Sequence, residues 1–269
     1  MHGRYRALGV GAVVSALALL AGTLLFAKAR DASPDRDRVR LAAGTGQSRL
    51  CSVPQGREPV KLRSAELTAE IDNPYFPARP GARWVYRVTD PSGLRQRAVV
   101  TVPDSTRVVA NGVSARVVYT TVFEQGERAE DNHAWYAQDA CGNVWHLGEA
   151  DREFEGGRVS TSKGSREAGV NGAQPGVIMA AHPVVGLTYR HEYVKGVAED
   201  RGEVFSVRER AEVPFRRFPR ALLIKETEGI ELSLLDYKFY VRGIGLVLGV
   251  EISNGNERSE LISFRRGRG

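Results

Sequence analysis

The stretch Asn132-His133-Ala134-Trp135-Tyr136-Ala137-Gln138-Asp139-Ala140-Cys141-Gly142-Asn143-Val144-Trp145-His146-Leu147-Gly148-Glu149 reads as a single β-hairpin. Asp139 opens a turn, Gly142 supplies the position where φ goes positive, and both flanks are rich in aromatic and β-branched residues. A type I turn with a Gly bulge pairs Asp139 with Asn143, Ala137 with Trp145, Trp135 with Leu147 and His133 with Glu149 on one face. The other face then carries Tyr136 with His146, Gln138 with Val144 and Ala134 with Gly148. The Trp-Leu face is the expected core, and a slip of one residue would exchange the two faces.

The same alternation of strand and turn extends in both directions. Three prolines in Asn73-Pro74-Tyr75-Phe76-Pro77-Ala78-Arg79-Pro80-Gly81 hold an extended entry that turns into a strand bearing Trp84 and Tyr86. Further strands are expected over residues 94–102, 106–109, 113–124, 151–155, 158–162, 187–194, 203–213, 221–228, 231–241, 246–252 and 257–264. Asn111-Gly112, Gly156-Gly157 and Asn254-Gly255 supply tight turns, and Gly243-Ile244-Gly245 a bend or turn. Residues 61–71 fit either a short helix or an extended lead-in. A long Gly/Pro-rich loop is expected from Glu167 to Gly186, and loops of that length are usually functional. No amphipathic helix pattern follows residue 30. The prediction is all-β: one antiparallel domain of about a dozen strands in a curved half-barrel or barrel-like sheet, with a two-sheet sandwich as the alternative.

The N-terminus has a different composition. Arg4 and Arg6 precede an uncharged run from Leu8 to Phe26, and Ala27-Lys28-Ala29 offers a cleavage site, so residues 1–29 read as a signal peptide or signal anchor. Residues 30–56, poor in aromatics and rich in Arg, Asp, Ser, Pro and Gly, read as a flexible linker. The β domain is expected over 57–264 and a basic tail over 265–269. Of the 38 Lys and Arg, Arg4, Arg6 and Lys28 lie in the leader, which leaves 35 against 32 Asp and Glu. The body is near neutral and the chain is addressed to an extracytoplasmic location, so nucleic acid is not an expected partner. If the leader stays uncleaved, membrane contact through it is expected. Export also favours a disulfide between the only two cysteines, Cys51 and Cys141.

Three motifs together resemble a group of uncharacterised exported bacterial β-rich proteins: Tyr75-Phe76-Pro77 to Pro80-Gly81, Trp84 and Tyr86; Trp135-Tyr136-Ala137-Gln138-Asp139 to Gly142-Asn143-Val144-Trp145; and Tyr240 to Gly243-Ile244-Gly245-Leu246-Val247. The resemblance spans roughly residues 73–264 and implies a β-rich domain behind a signal or lipid anchor. It implies no particular chemistry. Cys141 departs from the group's usual turn, which makes the bridge a local feature of this chain.

Catalytic motifs are absent. Ser160-Thr161-Ser162-Lys163 matches the S-x-x-K string of penicillin-recognising enzymes, but it follows a Gly-Gly hairpin rather than opening a helix and no K-T-G strand accompanies it. His133 and His146 fall on opposite faces, and no spacing of His or Cys fits a metal. His191-Glu192 and Glu199-Asp200 could converge with His182. Glu149, Asp151, Glu153 and Glu155 share one strand face, read chiefly as a solvated edge and otherwise as a cation or docking face. Phe215-Arg216-Arg217-Phe218-Pro219-Arg220 is a basic loop, read as a solvated hairpin end or as a contact for an anionic surface.

The function these features imply is that of a non-enzymatic exported envelope domain, without a cofactor, that binds an apolar or envelope-derived ligand or another envelope protein. An extracytoplasmic hydrolase and a structural or assembly role are the alternatives. The ligand-binding candidates are Trp135, Trp145, Leu147, Met179 and His182, with the 169–183 loop as the place to look first.

Overall fold

The computed structural model describes residues 52–109, 112–230, 235–253 and 257–268. The expected leader, the linker up to Cys51, Asn111 and the Asn254-Gly255 turn lie outside them. Among the described residues no helix is long and apolar enough to cross a membrane.

The described residues form one sixteen-stranded antiparallel sheet, as the alternation of strand and turn predicts, and not a two-sheet sandwich. After a 3-10 turn at Ser64–Glu66 come β1 (Leu67–Thr68), β2 (Arg83–Thr89), β3 (Arg95–Thr101), β4 (Thr106–Val108), β5 (Ser114–Glu124), β6 (Glu127–Asp139), β7 (Val144–Glu155), β8 (Arg158–Thr161) and β9 (Arg166–Glu167). They are followed by β10 (Gly176–Met179), β11 (Thr188–Arg190), β12 (Asp200–Val213), β13 (Arg216–Glu228), β14 (Leu235–Val241), β15 (Gly245–Glu251) and β16 (Arg258–Arg265). The main path runs β10-β7-β6-β5-β3-β2-β16-β15-β14-β13-β12-β11. Residues 61–71 are thus an extended lead-in with one tight turn. The expected 167–186 loop is interrupted by β10, whose four residues are all buried. Gly-Val-Ile-Met is too short and too uniformly apolar to show a period, which is why it passes for loop.

No ladder joins β10 to β11, so the barrel has a seam. The backbone pair Gln174 and Tyr193 bridges it at one point. Gly176 lets the two backbones close up there, since a Cβ would lie 2.1 Å from the His191 carbonyl oxygen. The N-terminal strap, residues 52–63, crosses the seam on the outside. The Arg190 amide donates to Pro54 O at 2.8 Å and the Val60 amide to Gln174 Oε1 at 3.1 Å, so one short segment holds both sides. The Arg190 guanidinium adds bonds to the carbonyls of Gly56 and Glu58.

The opening hairpin is β6-β7. Its register matches the expectation near the turn, with Tyr136 opposite His146, Ala137 opposite Trp145 and Gln138 opposite Val144. Beyond that a bulge shifts it, so that Trp135 faces Gly148, Ala134 faces Glu149 and His133 faces Ala150. The bulge is needed because β9 crosses β7 there, and a Cβ on Gly148 would lie 2.3 Å from the Arg166 carbonyl oxygen. Gly243 and Gly245, both with positive φ, form the β14-β15 turn rather than a bend within one strand.

Inside the barrel, Trp84, Tyr86, Val100, Tyr136, Leu222, Ile224, Tyr240, Leu246 and Leu261 are buried in one core. Each large side chain removed from water contributes roughly 1.5–3 kcal/mol. β15 pairs with β16 only over Leu248 to Val250. In the gap beyond, Trp84 Nε1 donates to Ile244 O at 2.6 Å and Tyr86 OH to Leu246 O at 2.9 Å, which gives both polar tips buried partners.

Candidate functional site

The inward residues of β6 are Asn132, Ala134 and Tyr136, facing Asp151, Glu149 and His146 of β7. Tyr136 packs between the tilted rings of Phe76, 4.8 Å away between ring centroids, and His146 at 5.3 Å. Around them is a cavity of about 80 Å³ lined by Tyr75, Phe76, Trp84, Tyr136, Ile178, Tyr240 and Leu246, with Asn132, His146 and Lys238 at its polar side. Tyr75, Phe76 and Pro77, from the proline-rich entry, cap it.

Next to the polar side is a buried charged network at the seam. Arg166 of β9 lies 2.6 Å from Glu149 of β7 through Nη1 and bonds Glu192, just past β11, through Nε. One guanidinium therefore ties the two ends of the open sheet together. The His146 ring sits 3.9 Å from both Glu149 and Glu192, and burial lowers its pKa to about 4, so it is neutral at pH 7. Burial raises the Glu149 pKa against the opposing pull of Arg166. Asp200 is raised well above the usual range by burial and by the charge of Glu192, to which it is hydrogen-bonded. A protonated Asp200 can donate to Glu192, which Arg166 also bonds.

A second pair lies on β13 and β14, where Lys238 bonds Glu226. His191 packs against them, its Nδ1 3.7 Å from Glu226, and burial together with the Lys238 charge lowers its pKa to about 3. Gly202 makes room for this ring, since a Cβ there would lie 2.3 Å from Nε2. Toward the mouth opposite the Tyr75 cap the inner face turns acidic. Burial raises Glu130 to about 9, with Asp151 and Glu153 adding repulsion. It also raises Asp236 to about 6 and Glu257 to about 7. Glu149 and Asp151 are consequently buried members of the lumen, which corrects the solvated-edge reading of that strand face. A strand edge and a barrel wall have the same period of two, and only closure separates them. Among the described residues no three His, Cys, Asp or Glu side chains are grouped to hold a metal ion.

The five candidate ligand-binding residues do not come together. Trp135 and Trp145 face outward, opposite to Tyr136 and His146. Arg107 lies 4.0 Å over the Trp135 ring, beside a cleft of about 420 Å³ that also holds Val170 and Val197. Trp145 donates from Nε1 to Asp139 at 2.9 Å and lies under the strap, beside a groove of about 310 Å³. Leu147 and Met179 are fully buried, Met179 on β10 opposite Val144. His182 is exposed in a loop turn. The concave side is therefore Tyr136-His146, and the Trp-Leu face is the outer one, buried by strap and loop.

Residues absent from the candidate set include Tyr136, His146, Arg166, Lys238 and Glu226. The signal for two of them is in the strands: Leu222, Ile224 and Glu226 share a face, as do Tyr240 and Lys238, so the charge lies on the apolar side. The suggested convergence of His191-Glu192 with Glu199-Asp200 is realised through Glu192 and Asp200, while His182 stays outside it. Cys141 is not free, and its expected partner Cys51 lies outside the described residues.

No family model matches the chain, and no curated protein matches it. Among solved structures it is similar to a protein of Bacteroides fragilis assigned to export and bearing a YmcC-like fold, with a TM-score of 0.41 and 16% identity, over 71% of this chain and 98% of that one. It is also similar to a protein of Parabacteroides distasonis assigned to the lipoproteins, with a TM-score of 0.41 and 11% identity, over 72% and 99%. A β-barrel-like protein of Brucella abortus, from a domain family of unknown function, gives a TM-score of 0.35 and 12% identity over 70% and 98%.

Proposed function

We propose that this chain is an exported, non-enzymatic envelope domain that captures the apolar end of an envelope molecule. The observation that carries this is the cavity beneath Tyr75 and Phe76, walled by Trp84, Tyr136, Ile178, Tyr240 and Leu246. Its size limits the ligand. A cavity of about 150 Å³ holds benzene, so about 80 Å³ takes the tip of a chain and not a whole lipid. The extracytoplasmic location rests on the charged and apolar pattern of residues 1–29.

The hydrolase alternative has less to support it. Its best carboxyls, Glu149, Glu192 and Asp200, are at most 5% exposed and belong to the seam network; Glu149 borders the cleft beside Trp135, but there it is held by Arg166. The test is native mass spectrometry, with lipid extraction, of the protein purified from its own envelope. A co-purifying apolar species is expected, and it is expected to be lost in Ile178→Trp, which fills the cavity. A clean monomer from the unmodified protein would end the proposal.

A further inference from the structure

We infer that the Tyr75 end of the barrel docks on an anionic lipid surface. Six arginines gather there: Arg79, Arg83, Arg242, Arg265, Arg266 and Arg268. Their proximity is fixed by backbone contacts. Arg83 pairs with Arg265 across β2 and β16, and the Arg268 amide donates to Pro80 O at 2.9 Å. Gly267 packs on the Arg79 carbonyl, and the Arg266 guanidinium lies 3.6 Å from where a Gly243 Cβ would be. Arg242 stands 5.3 Å over the Tyr75 ring, at the rim of the cavity. All six are exposed except Arg83, which is half-buried. Among the described residues none of the six forms an ion pair; Arg95, Arg201, Arg208, Arg210, Arg216 and Arg220 also have none, so what sets the six apart is their clustering. Of the acidic residues near this end, Asp72 and Asp104 are exposed and Asp139 is buried in the β6-β7 turn, fewer than the six arginines.

Two further features lie at the same end. The Val184-Val185 loop tip is 60% and 63% exposed. It joins this end through Asn73, whose side chain donates to the carbonyls of Gly142 and Ala180. Two adjacent exposed valines at the same end as the arginine cluster suit the boundary between headgroups and acyl chains. The strap also begins on this side, at β11, whose first residue Thr188 follows the valine loop. Residues 30–51, which connect it to the apolar run at 8–26, reach at most about 70 Å. A tether that starts on this side keeps the domain within reach of the bilayer and leaves this end free to meet it. The lumen explains how a near-neutral chain produces such a surface: acidic residues are gathered inside the barrel and the arginines are left outside.

The inference rests on the export reading but not on ligand capture, so the two can fail separately. The chain as purified from the exporting cell is combined with vesicles of phosphatidylcholine, alone or mixed equally with phosphatidylglycerol, and backbone hydrogen exchange is followed. Slower exchange in 75–81, 182–186, 241–246 and 264–268 is expected with phosphatidylglycerol only, and high salt should reverse it. The variant Arg242→Glu/Arg266→Glu/Arg268→Glu should reduce partition to the mixed vesicles about a hundredfold, while Ile178→Trp should leave it unchanged. Equal exchange on both vesicles, protection at the acidic mouth instead, or the same protection from heparin without lipid would each overturn the inference.

Discussion

Arg166 Nη1 lies 2.6 Å from Glu149, and the same guanidinium bonds Glu192 on the far side of the seam. The pair therefore replaces, with charge, the hydrogen-bond ladder that β10 and β11 do not form. Removing one partner of a buried ion pair leaves the other charge without compensation, at a cost of about 3–5 kcal/mol. Arg166→Leu is expected to lose this much in urea unfolding, and Arg166→Leu/Glu149→Leu is expected to recover part of it. A single variant as stable as the parent would show that the strap and the Gln174-Tyr193 bridge hold the seam without this charge.

The pH dependence has a defined sign. Glu130, at about 9, and Glu257, at about 7, are raised by burial, so the folded state binds protons that the unfolded state releases above the usual carboxylate range. Their contribution is complete below pH ~4.5 and is lost as pH rises toward their folded values. His146 and His191 act oppositely: lowered to about 4 and 3, they favour the folded state above pH ~6.5 and cease to as pH falls through those values. Above pH 6.5 only the carboxyls still titrate differently, so Tm should fall steadily to pH 9. Glu130→Gln should flatten that slope by up to about 1.4 kcal/mol per pH unit. A Tm that is level or rising over this range would contradict the buried acidic mouth.

How much of this was legible depends on the range of the interactions. Turn chemistry is local, so Asp139 to Gly142 located the hairpin and its first three pairs correctly. The bulge at Gly148 was not legible, because it exists to admit β9, more than fifteen residues further along. Which face of β6-β7 looks inward is also a long-range property: alternation separates Trp135 from Tyr136 but does not say which side the sheet curls toward. The outer tryptophans are buried by the strap and by the 164–173 segment, and so carry the same composition as a core. The arginine end is assembled from residues 79, 83, 242, 265, 266 and 268, which the β2-β16 register and the contacts of the 242–245 turn and the C-terminal segment with the 75–80 entry bring together.

Gly176→Ala tests the seam from the backbone side. A Cβ there would lie 2.1 Å from the His191 carbonyl oxygen and 2.5 Å from that of Arg190, both main-chain atoms that cannot swing away. Overpacking of this kind costs about 1–3 kcal/mol, and here it would also pull apart the Gln174-Tyr193 bridge. Hydrogen exchange should quicken selectively at Gln174, Arg190 and Tyr193, with β2 and β3 unaffected. Unchanged protection at those amides would mean that the seam tolerates a wider spacing.

The strap supplies the last test. Cys141 sits at the tip of the β6-β7 turn, and Cys51 immediately precedes the strap that binds both β11 and Gln174. A bridge between them would close a loop of about ninety residues, worth on the order of 4 kcal/mol when its effect on the unfolded chain dominates. Intact mass under non-reducing conditions should therefore be about 2 Da below the reduced value. Cys51→Ser should lower stability by that order, with exchange rising first at the amides of Val60 and Arg190. If alkylation labels both thiols in the native exported protein, the bridge is absent, and the strap is held by its bonds to Arg190, Thr188 and Gln174, the Arg57-Glu199 ion pair and the packing of Val53, Val60 and Leu62.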